Sequence, residues 1–248
     1  MITIKNQEEL AKMRQAGRIV AEVFELMREK IRPGVTTGEL DAAAERLIRK
    51  HGAIPLFKGY GGFPATICAS VNEEVIHGIP GKRVLQEGDI VSIDVGAKIH
   101  GFCGDAARTF PVGRIAPEVQ QLLDVTQESL AAGIQMAVAG NRLGDLGNSI
   151  QTVAEAHGYG VVLDYVGHGI GREMHESPDV PNYGRPGRGL RIVNGMALAI
   201  EPMINMGTAA VRTLSDGWTV VTLDKMPSAH FENTVAITPE GPQIMTVL

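Results

Sequence analysis

An α+β fold made from a duplicated unit is the architecture this sequence predicts, on three observations. Segments with apolar residues at helical spacing lie between recognisable start and stop signals. Short apolar runs of strand length separate them. The order of elements in the first part of the chain is then echoed in the second.

The first 33 residues read as a helix. Asn6 followed by Glu9 has the form of a capping box, and Leu10, Met13, Ala16, Val20, Val23, Met27 and Ile31 keep one face apolar until Pro33-Gly34 stops it. A second helix starts near Thr37, buries Leu40, Ala44, Leu47 and Ile48, and ends at Gly52. Gly59–Pro64 reads as a glycine-rich loop, Ile67–Val75 and Asp89–Val95 as strands, and Ala106–Phe110 as a further short strand. Pro117 suits the first turn of a third helix, which carries Val119, Leu122, Leu123 and Leu130 and ends around Gly140. A fourth runs from about Leu143 to His157 with Leu146, Ile150 and Val153 on one side, closed by Gly158. Val161–Val166, Met196–Ile200, Trp218–Leu223 and Thr234–Ile237 read as strands, and Pro178–Gly189 as a loop.

The echo is specific. Gly34, Gly38, Glu39, Leu40 and His51-Gly52 reappear as Gly140, Gly144, Asp145, Leu146 and His157-Gly158, and the run from Gly88 to Asp94 has its counterpart from Gly195 to Glu201. Two copies are too few for a solenoid and suit two halves, about 1–111 and 112–248, facing each other in one catalytic domain over 1–248. The repeat superposes Asp94 on Glu201. Each half also has a second acid entering a later strand, Asp105 in the first and Glu232 in the second. Four carboxylates converging on one point cannot all ionise alone, whereas two divalent cations would balance them. His168, between glycines in Gly167-His168-Gly169-Ile170-Gly171, follows a strand and is placed to reach a cleft as an imidazole donor.

Bulk composition narrows the partners. The 248 residues are 44% hydrophobic and 21% charged, with a net charge of −5 and no long basic cluster, so a nucleic-acid surface is not expected. No apolar run reaches the ~18 residues that span a bilayer, and residues Met1 to Leu10 do not form a signal peptide. Two separated cysteines, Cys68 and Cys103, fit neither a disulfide framework nor a zinc ribbon, and point to a reducing cytoplasmic location and inert thiols. No extended apolar surface segment demands a partner, so a monomer is expected.

Competing motifs fall away. His175-Glu176 begins like a zincin helix, but Asp179 stands where the second histidine belongs and Pro178 breaks the helix. The glycines around His168 lack dinucleotide spacing, and no Gly-x-Ser-x-Gly elbow occurs. His77 and His175 fit proton transfer or hydrogen bonding to a substrate. Tyr60 and Phe63, in a glycine-rich loop, and Trp218 stand out in a chain poor in aromatics and suit a pocket wall.

Together these segments resemble type I methionine aminopeptidase over essentially the whole chain, in its compact bacterial form without a zinc-binding extension. The likeness is carried by Ser70-Val-Asn-Glu-Glu-Val-Ile-His77-Gly-Ile-Pro80, Asp94 with Gly104-Asp105, Gly167–Gly171 with Met174-His175-Glu176, Ala199-Ile-Glu201-Pro202 and His230-Phe-Glu232-Asn-Thr234. The resemblance implies a pseudo-twofold pita-bread fold, with an antiparallel sheet and helices on its outer face. It implies two divalent ions (Co, Mn, Fe or Zn): Asp94 on one, His168 and Glu201 on the other, Asp105 and Glu232 bridging. It places His77 and His175 on the substrate, Glu201 as proton shuttle, and Tyr60, Phe63, Cys68 and Trp218 in the methionine pocket. Asn72, Glu74 and Ser228 would hold a monovalent cation (Na or K). The implied reaction removes the initiator methionine of nascent proteins, preferring a small second residue, by a metal-activated water, with transient ribosome contact compatible. Met174 and Phe57 depart from common family residues in the pocket wall but remain apolar. A proline dipeptidase is the alternative, though such enzymes usually carry an additional N-terminal domain.

Overall fold

The computed structural model describes residues 2–248, so Met1, the start of the predicted first helix, lies outside the described residues. Four α-helices are present among them: α1 (Gln7–Lys30), α2 (Thr37–Lys50), α3 (Pro117–Met136) and α4 (Leu143–Ala156). Both ends of the Asn6–Glu9 capping box form at α1, and a second box joins Thr36 to Glu39 at α2. Every strand pairing is antiparallel among the described residues.

The central element is a long hairpin of Ile90–Ile99 with Phe102–Pro111. Strand Ile67–Val71 adds to the free edge of Ile90–Ile99. A five-stranded sheet combines Ala197–Ile200 with Asn233–Thr238 on one side and Gly167–Gly169 on the other; Gly241–Ile244 and Glu176–Val180 form its edges. Strand alternation then sorts the side chains. Val91, Ile93 and Val95 pack beneath α1 and α2 with Val23, Met27, Leu40 and Ile48. Leu198, Ile200, Val235 and Ile237 pack beneath α3 and α4 with Leu122, Leu130, Leu146 and Ile150. Asp94 and the small residue Ala199 therefore belong to the faces turned away from the helices.

The echo in sequence recurs in backbone hydrogen bonds. Gly34 N–H donates to Leu85 O and Gly140 N–H to Ile192 O; Gly38 N–H donates to Gly81 O and Gly144 N–H to Arg188 O. The backbone N–H of Thr36 bonds the Glu39 carboxylate, as that of Arg142 bonds Asp145, each at 2.7 Å. Gly88 and Gly195 share the left-handed backbone that only glycine adopts without strain.

Several predicted strands differ in extent. Ile67–Val75 is two strands, Ile67–Val71 and Glu74–Ile76, because Asn72 takes a left-handed turn (φ 57°) and the Glu74 carboxylate accepts from Val71 N–H. Of the run Val161–Val166 only Val161 lies in a strand, Gly160–Val161, and His168, which follows it, lies inside a short strand of its own, Gly167–Gly169. An apolar run alone does not reveal pairing, and Leu163 faces solvent. Pro178 was expected in a loop, yet Glu176–Val180 is a strand. It lies at a sheet edge, where the missing proline N–H breaks no ladder. Trp218–Leu223 shortens to Val220–Thr222, and Asp105 sits within Phe102–Pro111, not ahead of it.

Candidate metal centre and adjoining pocket

Sheet register brings the acids together. Asp94 pairs with Ala107 and Asp105 with Gly96, so the two aspartates are diagonal neighbours on one face of the hairpin, each opposite a small residue. In the five-stranded sheet Ile200 pairs with Asn233, which sets Glu201 and Glu232 opposite each other one residue beyond the paired stretch. His168 pairs with Ala199, two residues before Glu201 and hence on the same face. The flanking glycines are sterically required: a Cβ on Gly167 would lie 2.3 Å from Ala199 O, and one on Gly169 2.4 Å from Ser177 O.

A seam of hydrogen bonds joins the two sheets at this point. Asp105 N–H donates to Thr234 Oγ1 and the Thr234 hydroxyl returns a bond to Asp105 O. Glu232 N–H donates to Ala107 O at 2.9 Å. His230 N–H donates to Thr109 Oγ1, whose hydroxyl donates back to His230 O. Arg108 donates to the Glu232 carbonyl and to Asn233 Oδ1, holding the Glu232 backbone from behind.

The carboxylates so gathered lack compensation. Asp94 Oδ1, Asp105 Oδ1 and Glu232 Oε1 are sealed from solvent without a hydrogen-bond partner, as is His230 Nε2. Burial raises all four acids, and repulsion among them adds to it at Asp94, Glu201 and Glu232. Asp105 is pushed up to about 7 by burial. The imidazoles shift the other way: burial, with His175 nearby, lowers His168 and His77 to about 4. Orphaned buried acceptors beside an uncharged imidazole are costly in a protein left to itself and are the donor set of a divalent cation. Asp105, His168 and Glu232 offer donor atoms within 4.8 Å of one another, and so do Glu201, His230 and Glu232. The residues fit the group the resemblance implies.

A cavity of about 280 Å³ adjoins these groups. Its walls combine Asp94, Asp105, His168, Glu201 and Glu232 with Phe63, Cys68, Met174 and Trp218, and Cys68 pairs directly with Asp94 across neighbouring strands. Phe57, Phe63, Cys68 and Met174 form a buried apolar cluster against which Trp218 packs, with Phe63 and Trp218 edge to face at 5.1 Å. His77 and His175 also line the cavity. His77 is held in a left-handed backbone (φ 60°) and meets Trp218 and Tyr165 edge-on. His175 Nδ1 lies 2.6 Å from the Tyr60 hydroxyl, and its ring meets His168 at 4.3 Å. Tyr60 thus stands at the exposed mouth with its polar end engaged, outside the apolar cluster.

Other residues have separate jobs. Glu176 bonds Lys5 at 2.8 Å and also Thr3; despite burial, these bonds hold its carboxyl down at about 2. It pins the N-terminal segment to the strand that follows His175. Asn72 and Ser228 meet through a Ser228 N–H bond to Asn72 O. The side chains of Asn72, Glu74 and Ser228 are engaged with Asp89, Ile90, Val71, Arg83 and Asn205. Cys68 and Cys103 are free thiols, raised by burial, Cys103 to about 12. Sequence reasoning gave no role to Ile76, Tyr165 and Val166, which line the cavity, or to His230. His230 ends strand Ser228–His230 and Glu232 lies between it and Asn233–Thr238, so the tertiary structure rather than strand alternation brings the ring to the acids.

Comparison with known proteins finds relatives along essentially the whole chain. The model of metallopeptidase family M24 matches residues 11–239. A methionine aminopeptidase of Clostridium acetobutylicum is 60% identical over 248 residues, covering 100% of this chain and 99% of that protein. The crystal structure of a methionine aminopeptidase from Thermotoga maritima superposes with a TM-score of 0.98 at 47% identity, covering 100% of both chains. A prolidase from Pyrococcus furiosus shares the fold alone: TM-score 0.79 at 24% identity, over 99% of this chain and 65% of that one.

Proposed function

The chain belongs to metallopeptidase family M24, and from that premise we propose that it acts as a methionine aminopeptidase, removing the initiator methionine of nascent proteins and peptides whose second residue is small. Family and pita-bread fold are those the sequence resemblance implied. The observation that carries the function is one cavity whose walls join a convergent carboxylate–imidazole set to an apolar, sulfur- and aromatic-lined cluster.

Asp94, Asp105, His168, Glu201 and Glu232 would hold two divalent ions (Co, Mn, Fe or Zn). When bound, these ions supply Lewis acidity and acidify water enough to give a nucleophile at neutral pH. The chain's own residues do the rest. Phe63, Cys68, Met174 and Trp218 take the methionine side chain and exclude water from it. With the Tyr60 hydroxyl donating to Nδ1, His175 carries its proton on Nε2 and presents it to the scissile carbonyl oxygen. His77 positions the scissile amide from the opposite wall. Glu201, at the rim of the acid cluster, passes a proton to the departing amine. An apolar pocket distinguishes one methylene by only about 1–3 kcal/mol, so slow cleavage after Leu or norleucine is expected.

The same reading makes residues 1–248 one catalytic domain of two halves, about 1–111 and 112–248. It places the protein in the cytoplasm as a monomer, in transient contact with ribosomes where its substrates emerge. A monovalent cation (Na or K) would sit at the Asn72–Ser228 junction. The test is a peptide panel assayed with and without chelator. Metal-dependent release of Met from Met-Ala-x peptides, with x-Pro dipeptides left intact, is the expected outcome; cleavage of the x-Pro dipeptides alone would refute the proposal.

A further inference from the structure

His230 is built into the acid cluster, yet the reaction above gives it no part. It ends strand Ser228–His230, two residues before Glu232, with a ring nitrogen within 4.8 Å of donor atoms of Glu201 and Glu232, and its backbone N–H and C=O are both held by bonds to Thr109 at 2.9 Å each. Only 1% of its surface is exposed, and Nε2 is sealed with no hydrogen-bond partner. That nitrogen lies 3.7 Å from Glu201 Oε2. On the other side of the same carboxylate, His168 Nε2 lies 3.6 Å from Oε1. One glutamate therefore stands between two imidazoles, one facing each oxygen. The two rings differ in access: His168 lines the cavity, whereas His230 is not among its walls and lies behind Glu201.

We propose that His230 is a positioning residue for the metal centre: its Nε2–H holds the outer oxygen of Glu201, which fixes the inner oxygen toward His168 and the cation they share. The inference rests on the metal centre proposed above. A turn of the carboxylate by under about 1 Å closes the gap to hydrogen-bond length, ~2.7–3.2 Å. Outer hydrogen bonds of this kind orient a ligating carboxylate, and losing one costs about 10–100-fold in metal affinity.

The test compares the full-length chain with His230→Gln, which keeps an amide N–H donor, His230→Met, which fills the space without one, and Glu232→Gln. Each apoprotein is titrated with Mn²⁺ by calorimetry, its folding is checked by thermal melting, and its cobalt form is examined by visible absorption. The expected result is about 10–100-fold weaker Mn²⁺ binding in H230M, with H230Q restored close to wild type and the cobalt spectrum of H230Q unchanged. Should H230M not fold, His230→Asn takes its place, since it has the same amide on an arm one methylene too short, and the same loss is expected. Wild-type affinity in the Met or Asn variant overturns the proposal. So does a loss in H230Q equal to that in H230M with an altered cobalt spectrum, because the ring would then be a ligand itself. Failure of the wild-type chain to bind Mn²⁺, or undiminished binding in E232Q, would instead overturn the underlying metal-centre reading.

Discussion

Removing divalent metal should make this protein less stable as pH rises past neutrality, the reverse of what a histidine-dominated site would give. The sign follows from the direction of each shift. Asp105 ionises near 3.8 when unperturbed and is raised to about 7 in the fold, and Asp94, Glu201 and Glu232 are raised as well. The folded chain therefore keeps protons that the unfolded chain has lost, and stability falls with pH up to each folded value. His77 and His168 at about 4, and His230 at about 3, act oppositely. They remain neutral in the fold while their unfolded counterparts titrate around 6.5, so their contribution rises with pH and is nearly complete about one unit above that value. Above that point the acids act alone. Each acid still protonated in the fold costs about 1.4 kcal/mol per pH unit, and 1 kcal/mol corresponds to about 2–4 °C in Tm for a chain of this size. Even one such acid lowers Tm by roughly 3–6 °C per pH unit. Adding a divalent cation ionises the acids in the fold, removes this slope and raises Tm with its concentration. Differential scanning calorimetry of chelated and metal-loaded protein between about pH 7 and 8 measures both slopes. A chelated Tm that stays flat or climbs over that range would refute the reasoning.

Three further outcomes follow from named contacts. Glu232→Gln removes one of four crowded buried acids, so the apoprotein should melt higher while metal affinity and turnover fall by at least the ~10–100-fold that an outer partner is worth; melting with and without Mn²⁺ reads both. Tyr60→Phe deletes the hydroxyl that orients His175 and should lower kcat by about tenfold, short of the ~10²-fold cost of a 1 Å misplacement, with metal content unchanged by elemental analysis. Gly167→Ala places a methyl 2.3 Å from Ala199 O, and should cost about 1–3 kcal/mol and displace His168; a normal Tm with normal metal affinity would contradict the close strand approach.

Much of this fold was legible because its signals are local. The Asn6–Glu9 capping box and the Pro117 start lie within one helical turn, and both form as the sequence implies. The repeat was legible because its glycines serve backbone geometry that only glycine tolerates, so they survive as a pattern. Strand limits were less readable. The apolar stretch Val161–Val166 looks like a strand whether or not a partner exists, and Pro178 looks like a breaker unless its place at a sheet edge is known.

By itself the sequence determined the helices, the duplicated order of elements, and the presence of Asp94, Asp105, His168, Glu201 and Glu232 in or beside strands, where an unpaired charge is too costly to be incidental. Only the tertiary structure decided how these groups meet. Thr234 bonds Asp105 across 129 residues and Thr109 bonds His230 across 121. Contacts that distant depend on register between strands, which a linear pattern does not encode. The same holds for the Tyr60 hydroxyl on His175 and for the imidazole of His230 behind Glu201. These are matters of side-chain direction, settled when the two sheets close on each other and each buried polar atom must find a partner or a cation.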